Sequence, residues 1–101
     1  MELNTLMLKN KILEAIKEFN EFRSPEATAE LISMNNDTII VKMSGTYCRS
    51  CGLYDYFEDL SWKFKDYLNV NVKISSTRRL DPFSYEIVYK LVKGKGARSQ
   101  S

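Results

Sequence analysis

The sequence predicts an α+β two-layer sandwich. Its element order is α-β-β-α-β-β, with a mixed or antiparallel sheet carrying both helices on one face. Three observations point there. Two apolar stripes recur at helical spacing, two strand-like runs flank a turn between them, and two alternating runs follow the second stripe. With 101 residues the chain has room for one core. Residues 1–92 are expected to form one domain. Residues 93–101, basic and without apolar anchors, are expected to be a disordered tail.

The first helix rests on Leu8, Ile12, Ile16 and Phe19, with Leu13 widening the stripe. It should stop before Pro25, because a residue preceding proline avoids helical geometry. Ala27–Met34 and Thr38–Ser44 read as a hairpin around Asn35, Asn36 and Asp37, which favour turns. In the second of these strands Ile39, Val41 and Met43 alternate with Ile40, Lys42 and Ser44, and Gly45 ends it.

The strongest periodic signal is Leu53, Phe57, Leu60, Phe64 and Leu68, a helix from about Gly52 to Leu68. Asp55, Asp59 and Asp66 lie on its other face with Trp62 among them. Trp62 is expected to pack over the sheet edge; the other reading is a protein contact. Val70, Val72 and Ile74 mark a third strand and Tyr85, Ile87, Tyr89 and Leu91 a fourth. The stretch 75–83, "SSTRRLDPF", reads as a connector. Arg78 and Arg79, with Lys93, Lys95 and Arg98 of the tail, form the one basic cluster, read as a solvated loop and a frayed end.

The formal net charge of +2, from 15 basic and 13 acidic residues, is not that of a typical nucleic-acid binder. No apolar run reaches the length of a membrane span, and the N-terminus lacks a signal-peptide core, so a cytoplasmic location is expected. There is no histidine, which excludes a histidine-based triad, and no phosphate-binding glycine loop.

Chemistry concentrates in "MSGTYCRSCGLYDYF", residues 43–57, which holds both cysteines, Cys48 and Cys51, spaced C-x-x-C. The pair falls between a strand and a helix N-terminus, where unpaired N–H groups and the helix dipole stabilise a thiolate. Arg49 adds positive charge; Asp55, Glu58 and Asp59 oppose it. Tyr47 could shield the thiols, though packing is the simpler role. Structural zinc takes four Cys or His ligands and common iron–sulfur clusters take four cysteines. One chain supplies two cysteines and no histidine. A complete all-Cys/His site therefore needs a second copy, a partner or a small thiol. A redox dithiol needs nothing further.

The stretch from "ATAELISMNNDTIIVKMSG" through Cys48 and Cys51 to "NVNVKI" resembles the C-terminal domain of NifU-type iron–sulfur scaffold proteins. That family runs helix, hairpin, glycine, C-x-x-C, helix and short valine-rich strand. The likeness covers about two-thirds of the chain, counting the first helix. It departs at Thr46 and Tyr47, at Gly52, and in the strand at 84–92. It implies an iron–sulfur cluster held by Cys48 and Cys51 across a homodimer and passed to a recipient protein. A second resemblance is to thioredoxin-like proteins, in which strand, C-x-x-C and helix are followed by a proline and a strand. It implies a thiol-disulfide module using the Cys48/Cys51 dithiol. A third reading is a non-enzymatic interaction protein with inert thiols; the Lys, Asn, Ile and Tyr usage suggests an archaeal or archaeal-virus source.

Overall fold

The computed structural model describes residues 2–24, 26–35, 37–45 and 53–92. Its elements are α1 (Glu2–Arg23), β1 (Thr28–Met34), β2 (Thr38–Ser44), α2 (Leu53–Leu68), β3 (Asn71–Asp81) and β4 (Ser84–Val92). The fold is α+β in the expected order. The four strands form one antiparallel sheet, β1-β2-β4-β3.

Strand alternation separates the two sides of the sheet. Ile39, Val41 and Met43 of β2 are fully buried, and their cross-strand partners are Tyr89, Ile87 and Tyr85. These residues cluster with Ile12, Ala15, Ile16 and Phe19 of α1 and with Phe57, Leu60 and Phe64 of α2. Both helices therefore bury their stripes against the same sheet face. The opposite face is mixed, with Ile40 paired to Val88. One row across it reads Glu30, Lys42, Glu86 and Arg78, alternating in sign, with Arg78 and Glu86 paired at 3.2 Å. Such pairs of opposite charge suit a water-exposed sheet surface.

Tyr89 ties α2 to the sheet. It is fully buried on β4, packs edge-on against Phe64 with ring centroids 5.2 Å apart, and donates its hydroxyl to the Phe57 carbonyl at 2.8 Å. Helix α1 is tied to the edge strand β1 by Asn20. Its side-chain amide donates to the Ala29 carbonyl at 3.1 Å, and its side-chain oxygen accepts from the Ala29 N–H at 2.7 Å. That pair of hydrogen bonds covers part of an edge that would otherwise invite another strand. Ile32 opposes no residue of β2, a bulge that interrupts the rest of this edge.

Three expectations are corrected. Leu13 lies outside the buried stripe, 42% exposed, because α1 packs through Ala15 and the Ile12–Ile16–Phe19 line. Residues 75–81 are no connector: they continue β3 to Asp81 and pair with β4, through irregularities at Ser75 and Leu80. Trp62 borders the β3 edge beside Val72 and Ile74 but is not covered there: it is 60% exposed, with the Lys65 amine 3.9 Å above its ring. The expected tail, 93–101, lies outside the described residues. Among the described residues no helix is long and apolar enough to cross a membrane.

The helices are also joined by Tyr67, which donates to Glu18 at 2.6 Å, and by Lys63, 3.4 Å from the same carboxylate. The Tyr67 hydroxyl is the leading cause that holds the Glu18 pKa below the ordinary glutamate value. A carboxyl depressed on folding stabilises the fold above its unfolded pKa, and the benefit is lost as pH falls through the lower folded value. Tyr67→Phe is therefore expected to lower the melting temperature most near neutral pH. Its difference from wild type should shrink on acidification below the ordinary glutamate range. Thermal melts across pH check this; a difference independent of pH would contradict it.

Candidate thiol site at the exit of the second strand

Cys48 and Cys51 lie outside the described residues, as do Thr46, Tyr47, Arg49, Ser50 and Gly52. What the structure places is both ends of the segment that carries them: Gly45, after the central strand β2, and Leu53, the first residue of α2.

The exit of β2 is closely enclosed. Gly45 has φ +151°, donates its N–H to the Phe83 carbonyl at 3.2 Å, and runs beside the backbone that links α1 to β1. A Cβ here would stand 2.2 Å from the Glu26 carbonyl oxygen and 3.0 Å from the Ala27 Cα. Only glycine fits that approach, and φ in this region is unfavourable for any L side chain. The end row of the sheet, Thr28, Ser44, Ser84 and Asp81, frames the exit with short polar side chains. Pro82 and Phe83 form the β3–β4 turn next to it. The Phe83 N–H donates to the Asp81 carboxylate at 2.8 Å, the leading cause of that group's lowered pKa.

The start of α2 is fastened from three sides. Tyr56 donates to the Glu26 carboxylate at 2.9 Å, and Arg23 pairs with Asp59 while lying 5.8 Å from the Tyr56 ring centroid. Phe57 meets Tyr85 of β4 with ring centroids 5.6 Å apart. The bond to Glu26, first, and desolvation raise the Tyr56 pKa, so the phenol keeps its proton across the neutral range. Asp55 is the acidic residue of the first turn and is exposed, a favourable position for the helix dipole.

The basic cluster read from the sequence does not assemble on the described part. Arg78 pairs across the sheet with Glu86, on the open face. Arg79, its neighbour, is opposite Tyr85, whose ring touches Phe57 of α2. Arg79 therefore belongs to the helix-side face, near the start of α2, and its Nε donates weakly to the Asp81 carbonyl at 3.4 Å. Lys93, Lys95 and Arg98 lie outside the described residues. The helix-side placement of Arg79 is not legible in the sequence because residues 75–81 show no apolar alternation. Their side chains are largely exposed, so the usual strand signal is absent.

Among the described residues no group of three or more His, Cys, Asp or Glu side chains could hold a metal ion. No family model, curated protein or solved structure matches this chain.

Gly45→Ala is expected to lower stability by about 2–4 kcal/mol, from backbone collision and φ strain together. Urea unfolding checks it. A midpoint equal to that of wild type would show that the exit of β2 is not sealed as described.

Proposed function

We propose that the chain is a small iron–sulfur carrier or assembly-type domain, with Cys48 and Cys51 of two copies as the ligands of one shared cluster. The observation that carries this reading is the bracketing of a C-x-x-C segment between an enclosed strand exit at Gly45 and the N-terminus of α2, in a chain with two cysteines and no histidine. Thiolate ligands suit a cluster, and the amide-rich start of a helix favours the deprotonated form. Two chains supply the four thiolates that one cannot. The cluster is cargo in this reading, delivered to a recipient protein. The chain's own work is to hold two thiols at one end of a rigid sheet.

A second reading is a thiol-disulfide module. It is favoured by the Pro82–Phe83 turn beside the exit of β2, where the Gly45 N–H meets the Phe83 carbonyl. A turn at that place would bound a cleft for an extended disulfide substrate, which the Cys48 thiolate opens to a mixed disulfide as one substrate thiolate leaves. Cys48 would be the attacking thiolate and Cys51 the resolving thiol.

Anaerobic incubation with ferric iron, sulfide and a thiol reductant separates the readings. The carrier reading expects bound iron and visible absorbance in wild type, both lost in Cys48→Ser and Cys51→Ser. Equal iron and absorbance in wild type and Cys48→Ser would sink it. The redox reading expects a Cys48 pKa well below the ordinary ~8.5 and exchange with a dithiol reagent. An unshifted Cys48 without exchange would remove that alternative.

A further inference from the structure

Strand β3 is one edge of the sheet. On one side it pairs with β4, and among the described residues no strand lies on its other side. Helix α2 packs beside this edge and leaves a groove of about 350 Å³ against it. Its apolar lining is Val72, Ile74 and the 60% exposed Trp62; its charges are Glu58, Lys65 and Lys73.

We propose, independently of the thiol chemistry, that this groove docks an extended acidic segment of a partner protein, which adds to the start of β3 as an outer strand. Three observations select that occupant. First, residues 72–74 pair with β4 in regular register, and an edge strand turns alternate N–H and C=O groups outward. Another peptide strand matches those groups; a phosphate chain, which has no N–H to donate, does not. Second, the two sides of this edge differ. Val72 and Ile74 face the helices, opposite Leu91 and Tyr89, whereas Lys73 is on the open face. An occupant therefore places apolar side chains toward Trp62 and the alternate ones beside Lys73. Third, the charge there is unbalanced. Lys73 stands directly opposite Lys90, a like-charge pair that costs stability by itself. Among the described residues neither lysine, nor Lys65, has a carboxylate within ion-pair distance. Lys90 reaches only the Thr38 hydroxyl at 3.4 Å, and Lys65 the Trp62 ring. Carboxylates on the occupant would complement both cations.

The same charges disfavour the other strands at hand. Two copies pairing β3 with β3 in antiparallel fashion about Ser76 would set Lys73 against Arg79. Residues 93–101 carry Lys93, Lys95 and Arg98 and no acidic side chain. The opposite edge, β1, is less open, because Asn20 occupies both backbone groups of Ala29. The irregularity at Ser75 confines regular docking on β3 to its start, beside Trp62.

Trp62 is the single tryptophan, so its emission reports on the groove in the full chain. The probe is a short capped peptide alternating valine with glutamate. Its controls are the valine–lysine counterpart, the acidic peptide with alternate backbone nitrogens methylated, and a single-stranded oligothymidylate. The acidic peptide is expected to shift the emission to the blue and to saturate. Lys73→Glu with Lys90→Glu should weaken it at least about ten-fold while keeping the wild-type circular dichroism. Backbone methylation should abolish binding. No saturable shift up to about 1 mM peptide, or equal binding of the lysine or methylated peptide, would overturn the proposal. Oligothymidylate bound through the same lysines in place of the peptide would overturn it in favour of a nucleic-acid surface. Sedimentation velocity of the unliganded chain supplies the last arm: a dimer altered by Lys73→Glu would give the edge to a second copy instead.

Discussion

Tyr89 is the constraint on which the remaining architecture depends. It sits on β4, between β2 and β3, and is the largest fully buried side chain among the described residues. Its ring meets Phe64 of α2 edge-on, and its hydroxyl reaches the Phe57 carbonyl about two turns earlier. A buried phenol without an acceptor would be costly, so the hydrogen bond restricts both the height and the rotation of α2 on the sheet. With α2 held there, its N-terminus falls over the end of the sheet where β2 finishes. The place at which the C-x-x-C segment joins the helix is thus a consequence of packing in the core.

The two ends of that segment are controlled by different physics. At Gly45 the control is steric: the backbone at Glu26 and Ala27 comes so near that no side chain fits. At α2 it is polar, through Tyr56 with Glu26 and Arg23 with Asp59. These partners are partly exposed, so each contributes modestly, and the aromatic contact of Phe57 with Tyr85 supplies the apolar part. The short link from α1 to β1 takes part at both ends, because Glu26 gives its carbonyl to the Gly45 approach and its carboxylate to Tyr56.

Most of the architecture was legible in the linear pattern. Phe57, Leu60 and Phe64 recur at helical spacing and are buried; Ile39, Val41 and Met43 alternate and are buried together. The failures have separate causes. Residues 75–81 form a strand through backbone pairing with β4 while presenting few apolar side chains, so their composition resembles a loop. Leu13 shows the reverse: it is apolar, yet α1 turns its Ala15 side to the core and leaves Leu13 in solvent. Trp62 lies beside Val72 and Ile74 of β3, yet that narrow edge leaves it 60% exposed.

By itself the sequence determined the element order, the two helical stripes, the strand faces, and the presence of two thiols with no histidine beside them. These follow from local periodicity and counting, which need no long-range information. The tertiary structure alone decided that β4 inserts between β2 and β3 and that Arg78 and Arg79 belong to opposite faces. It likewise brought Phe22 and Trp62 onto one groove. Each of these joins residues far apart in the chain, or depends on a strand register that backbone hydrogen bonding sets independently of side-chain type.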